Sequence, residues 1–284
     1  MRQAISRIPL KPLPSVIPGF GITLGLTLFW LSLIVLVPLS SLFLKSATLG
    51  LEAFWGAITT PRVVQALKVS FSTAAIAAAI NAVLGLIVAW VLVRYRFPGR
   101  RVVDALVDVP FALPTAIAGI ALTTLWSDTG WIGGLLATFG IKVAFTPAGI
   151  VVALIFIGLP FVVRTVQPVL EDFDREVEDA AESLGAQPWQ VFVRVIWPSI
   201  MPATLTGLAL AFARGLGEYG SVIFIAGNLP LKSEIAPLLI VIKLEEFAYA
   251  EATAIAVTML VSSFLLLLGI NVLQRWAERR ERRR

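Results

Sequence analysis

The chain has 284 residues, of which 58% are hydrophobic and only 14% charged, and its mean hydropathy is +0.88. A soluble domain carries about 25% charged residues, so one water-soluble core is excluded and a lipid-embedded chain is indicated. The absence of cysteine and histidine excludes disulfides, thiolate metal sites and the usual proton carrier near neutral pH, and the net charge of +5 lies at the ends of apolar segments, a membrane pattern rather than a nucleic-acid groove.

A bilayer crossing takes about 20 apolar residues. Uncharged stretches of suitable length predict six spans, whose bounds with flanking residues are roughly 17–44, 67–93, 107–127, 145–164, 199–226 and 252–274. The first follows Arg2, Arg7 and Lys11. It is longer than a signal-peptide core of about 7–15 residues and lacks a small-x-small cleavage site, so it is expected to remain as a span. The second contains an alanine-rich run at 74–79 and, deep within it, the polar Asn81, expected to make an interhelical hydrogen bond. The cluster Arg94–Arg101 with Asp104 and Asp108 follows, and its charges are read as topology and interface markers. The third span holds PFALPTAIAG at 110–119, whose prolines need neighbours to satisfy freed backbone groups. The short stretch TGWIGGLLATFGI at 129–141 is expected to lie at an interface.

The fourth and fifth spans bracket a charged loop at 171–198. In VEDAAESLGA, Val177, Ala180, Ala181 and Leu184 recur at helical spacing and acidic residues cover most of the remainder. Gly185 reads as a helix stop, and Pro188 prevents continuation. Trp189, Phe192, Val193 and Ile196 begin a second helical phase, ended by Pro198. Two short amphipathic helices with a sharp bend are expected. Periodicity allows either an interfacial loop resting on the bundle or a docking face for a cytoplasmic partner, with the small alanines leaving room for close approach.

In the fifth span Arg214 and Glu218 are four residues apart, the spacing of one helix face. They are either a mutually neutralising structural pair or a feature of a translocation path or gate, with Arg214 attracting an anion. The final RWAERRERRR, a cytoplasmic basic tail at 275–284, reads as a stop-transfer and lipid-headgroup anchor. Lys and Arg number 16 on the side of both termini, of the 94–101 region and of the 164–194 loop, against 6 on the other. By the positive-inside rule both termini are expected in the cytoplasm.

Nothing matches G-x-x-x-x-G-K-[ST], so ATP hydrolysis is not expected of this chain. No clustered reactive constellation suggests an integral membrane enzyme, and no catalytic residue, metal site or cofactor is expected.

The loop resembles the EAA loop of importer-type ABC transporter permeases. Asp179, Ala180, Ala181 and Gly185 fit the first half of that pattern, and Val195, Trp197 and Pro198 the second. Asp stands for Glu, with Glu178 adjacent, Val for Ile and Trp for Leu. DVPFALPTAIAGIAL at 108–122, LPFVVRTVQPVLEDF at 159–173, ARGLGEYGSVIFIAGN at 213–228 and EEFAYAEATAIA at 245–256 are similar to the T-type sulfate/thiosulfate permeases. The resemblance implies an all-α, six-span permease of the type I importer kind in a bacterial cytoplasmic (inner) membrane. Its implied partners are a W-type permease, two copies of an ATP-binding subunit docked through the loop, and a periplasmic sulfate-binding protein. Sulfate or thiosulfate is the implied cargo, with molybdate or a related oxyanion as the alternative. An ATPase-independent secondary anion transporter is the competing class.

Overall fold

The computed structural model describes residues 20–281, with the backbone alone for 271 and 273–281. The N-terminal Arg2, Arg7 and Lys11, the start of the predicted span 17–44 and the side chains of the tail at 275–284 lie outside the described residues. Among the described residues there is no strand, and five helices are long and apolar enough to cross a membrane.

The first, α1 (Phe20–Ala47), buries none of its apolar window within the chain, and its C-terminal half rests on the last helix. A short helix, α2 (Gly50–Ile58), leads into α3 (Pro61–Arg94). The predicted third span is not one helix. It is broken into α4 (Arg100–Val107), α5 (Val109–Ala112) and α6 (Thr115–Trp126). Pro114 causes the break between α5 and α6: it disfavours helical geometry at the residue before it, and Leu113 is extended at φ −83°, ψ 133°. The 12 residues of α6 rise about 18 Å, short of a hydrocarbon core of about 30 Å. The stretch 129–141 forms α7 (Trp131–Ala137), with Trp131 exposed.

The helix α8 (Pro147–Glu171) is the most enclosed of the five apolar helices. The loop after it carries α9 (Arg175–Ser183) and runs into α10 (Pro188–Leu216), so Pro198 does not end a second short helix as expected but lies inside a long one. Both α1 and α10 widen into a π-helical stretch, at Ser32–Leu36 and Phe192–Ile196, just before Pro38 and Pro198. A proline removes an N–H and crowds the preceding turn, and the wider turn relieves that conflict. The predicted fifth span also breaks. Its helix stops at Leu216, the chain loosens at Gly217–Gly220, and α11 (Val222–Ile225) follows. Two helices remain, α12 (Ala236–Glu245) and α13 (Tyr249–Glu281).

The core is the mutual packing of α3, α8 and α10. Small residues make this contact close. A Cβ at Gly85 of α3 would come within 2.7 Å of Val162, and one at Gly207 of α10 within 2.4 Å of Thr165 Oγ1 and 2.7 Å of the Val162 backbone. Val162 is therefore gripped from both sides, the arrangement expected where packing rather than hydrophobicity drives association in lipid.

Candidate functional site

The loop at 171–198 is built from local signals. Asp174 caps α9 by accepting the Glu176 N–H at 2.9 Å. At the other end the Gly185 N–H donates to Glu182 O at 2.8 Å and the Ala186 N–H to Ala181 O at 3.1 Å. This paired pattern needs a left-handed residue, and Gly185 supplies it with φ +84°. The Gln187 N–H donates to Gln190 Oε1 at 2.9 Å and starts α10 sharply.

The expected apolar face of α9 divides. Ala181 packs toward the core with Ala186, whereas Val177, Asp179, Ala180 and Gly185 are exposed. Leu184 is 90% and Trp189 71% exposed. A Cβ at Gly185 would meet nothing within 4 Å. Pro198 is half-buried in α10. The loop thus sets two large apolar side chains on either side of an unobstructed glycine turn.

Glu178 is the exception among the acids of this loop. It turns inward to accept from Arg94 Nη2, 84 residues away at the end of α3. It therefore cannot stand in for Asp179 on the outer face.

Arg214 and Glu218 do pair, at 2.5 Å, although Glu218 lies beyond the helix end. The Glu218 side chain is 2% exposed and Arg214 35%. Glu218 Oε1 also accepts from the Ser221 N–H at 2.9 Å and the Ser221 hydroxyl at 3.0 Å. The carboxylate thus holds the backbone break, while the guanidinium keeps an open side. Close approach secures the same break: a Cβ at Gly119 of α6 would fall 2.4 Å from Ser221 O. Ser221 carries no charge, and no local signal in the sequence marks it.

Other ion pairs join segments far apart in the chain. Arg62 donates from Nε and Nη2 to the buried Glu234 carboxylate at 2.8 and 2.6 Å. Arg164 reaches both oxygens of Asp108 at 2.9 and 2.6 Å, and Asp104 Oδ1 at 2.7 Å. Asp104 and Asp108 are therefore the anchor that fastens α4 and α5 to α8, not merely end markers. Lys243 bonds Glu251 at 2.9 Å and Glu246 at 3.0 Å, and these bonds hold its ammonium above the ordinary lysine range. Asn81 is fully buried and its Nδ2 faces the Leu154 carbonyl at 3.5 Å, the expected interhelical contact at its longest.

Comparison with known proteins fits this architecture. The model of the family described as "Binding-protein-dependent transport system inner membrane component" matches residues 81–283. "Sulfate transport system permease protein CysT" of Synechocystis sp. is 52% identical over 89% of this chain and 88% of its own length. The protein of that name from Escherichia coli is 52% identical over 91% of this chain and 94% of its own. A "probable sulfate transport system permease protein cysT" of Nephroselmis olivacea is 50% identical over 88% of each chain. Among solved structures, a bacterial ABC transporter involved in the import of the acidic polysaccharide alginate superposes with a TM-score of 0.74 at 17% identity, over 90% of this chain and 94% of that one. That likeness carries the fold alone, an all-helical arrangement shared with a chain of that transporter. The chain belongs to the binding-protein-dependent transport system inner membrane components and, within them, to the CysT-type permeases, which are transport subunits rather than enzymes.

Proposed function

We propose that the chain is the T-type transmembrane subunit of an ATP-driven importer of sulfate or thiosulfate, coupled to a separate ATPase through the loop at 171–198. The observation that carries this reading is the outer face of that loop, with Leu184 and Trp189 exposed beside the open Gly185 turn, in a chain half-identical to sulfate permeases. Asp179, Ala180, Ala181, Gly185 and Pro198 are the coupling residues. Pro198 acts through the π-helical stretch before it, which sets the direction in which α10 leaves the loop.

Energetics favour a coupled machine. Sulfate carries two negative charges, and an inside-negative potential opposes entry by about 2.3 kcal/mol per charge per 100 mV. An external energy source is needed, and this chain has no phosphate-cradling loop to supply it. The partners are a W-type permease, two ATP-binding subunits and a periplasmic sulfate-binding protein, with lipid around the apolar faces. Both termini face the cytoplasm. Arg214 lines the path or gate, and Glu218 moderates its attraction so that the anion is not trapped.

The test is ATP-dependent uptake of labelled sulfate into vesicles holding the full set of partners. Gly185→Asp is expected to abolish uptake and release the ATPase while the subunit stays in the membrane. Gly185→Asn is the control, because asparagine tolerates the left-handed turn and adds bulk without charge. Normal uptake by Gly185→Asp would overturn the coupling assignment. Competition by molybdate at equal strength would transfer the cargo to that oxyanion.

A further inference from the structure

We infer that Arg94 is a positioning residue that latches the loop at 171–198 to α3, giving the loop a third attachment beyond its covalent links to α8 and α10. The inference rests on the coupling role proposed for that loop. The Arg94 guanidinium donates to Glu178 and lies 5.2 Å from the centre of the Trp90 ring. The Arg94 and Glu178 side chains are only 12% and 18% exposed, so the pair is screened from water far more than the loop's remaining acids. Cation, carboxylate and indole thus form one shielded unit, in which both attractions to the guanidinium are strengthened by partial desolvation.

A second contact comes from the same turn of α3. Trp90 meets Phe192 edge-on at 5.4 Å, and Phe192 stacks with Trp189 at 6.1 Å. The two helical parts of the loop are therefore clasped to one helix end, α9 through Glu178 and the start of α10 through Phe192. This matters because α3 packs against both α8 and α10. A loop tied only by its chain ends could tilt as α8 and α10 move. With the latch closed, it must travel with α3 as well, so a push on Leu184 or Trp189 reaches the whole core. Such a latch affects how much transport each hydrolysed ATP yields, more than whether the subunits assemble.

The experiment measures sulfate imported per ATP hydrolysed by the complete transporter in vesicles, for Arg94→Ala, Glu178→Ala, the double variant and Gly185→Asp, with the milder Glu178→Gln as a second probe in case the alanine variants do not reach the membrane. Each single change is expected to lower the yield about fivefold while the ATPase still co-purifies, and the double variant should be no worse than the poorer single, because the two residues act through each other. Losses that multiply to about 25-fold in the double variant would overturn the latch. If Gly185→Asp abolishes uptake but the Arg94 and Glu178 variants keep the normal yield, the latch fails and the coupling loop stands. If Gly185→Asp also imports normally, the coupling assignment and the latch fall together.

Discussion

At the scale of single residues, burial decides which member of an ion pair matters. Glu234 is 2% exposed whereas its partner Arg62 is 39% exposed. Removing the arginine strands a carboxylate away from water, which in buried pairs costs about 3–5 kcal/mol. Removing the carboxylate leaves a cation that can still hydrate. Arg62→Ala is therefore expected to lower the thermal stability of the purified subunit clearly more than Glu234→Gln does, and the reverse order would refute this account. Arg214 and Glu218 are divided in the same way, with the carboxylate inside and the guanidinium partly open. Arg214→Ala should reduce sulfate uptake without removing the complex from the membrane. Normal uptake by a stably expressed variant would return the pair to a purely structural role.

At the scale of elements, proline and glycine determine where the helices stop. Pro114 divides the predicted third span, and the loosened backbone at Gly217–Gly220 ends the fifth. Irregular backbone at membrane depth is tolerated where protein covers it, and these breaks cover each other: a Cβ at Gly220 would fall 2.2 Å from Thr115 Oγ1 at the start of α6. The two interrupted segments thus form one joint against α8. Hydropathy alone registers such segments as long apolar runs, because an average over about 19 residues absorbs a break of only a few.

At the scale of the whole molecule, ion pairs gather toward two ends. Arg94 with Glu178 and Arg164 with Asp104 and Asp108 lie toward the end of the 171–198 loop. Arg62 with Glu234 and Lys243 with Glu251 lie toward the opposite end. The proposed topology makes the first end cytoplasmic. The chain has no cysteine, so single-cysteine labelling gives a clean test at two exposed sites. A membrane-impermeant maleimide should label Leu184→Cys only in inverted vesicles and Trp131→Cys only from the outer side. The opposite pattern would invert the topology and remove the loop from reach of a cytoplasmic ATPase.

Composition by itself determined the membrane class, because a chain with so few charges cannot cover a soluble surface. Periodicity and helix-stop signals determined the first helix of the loop at 171–198 and its stop at Gly185, because that turn is made by neighbours in sequence; they failed at Pro198, which a π-helical turn accommodates inside a continuing helix. The partners of Glu178, Arg164 and Glu234 came only from the tertiary structure. These pairs join residues 84, 56 and 172 positions apart, and a charge at the end of an apolar segment looks the same whether it faces a lipid headgroup or another helix. The inward turn of Ala181 beside the outward Leu184 was likewise set by packing. Both lie on one stripe of the pattern that runs along α9 to the residue after its end, and only the position of the bundle beneath it decides which part of that stripe is covered.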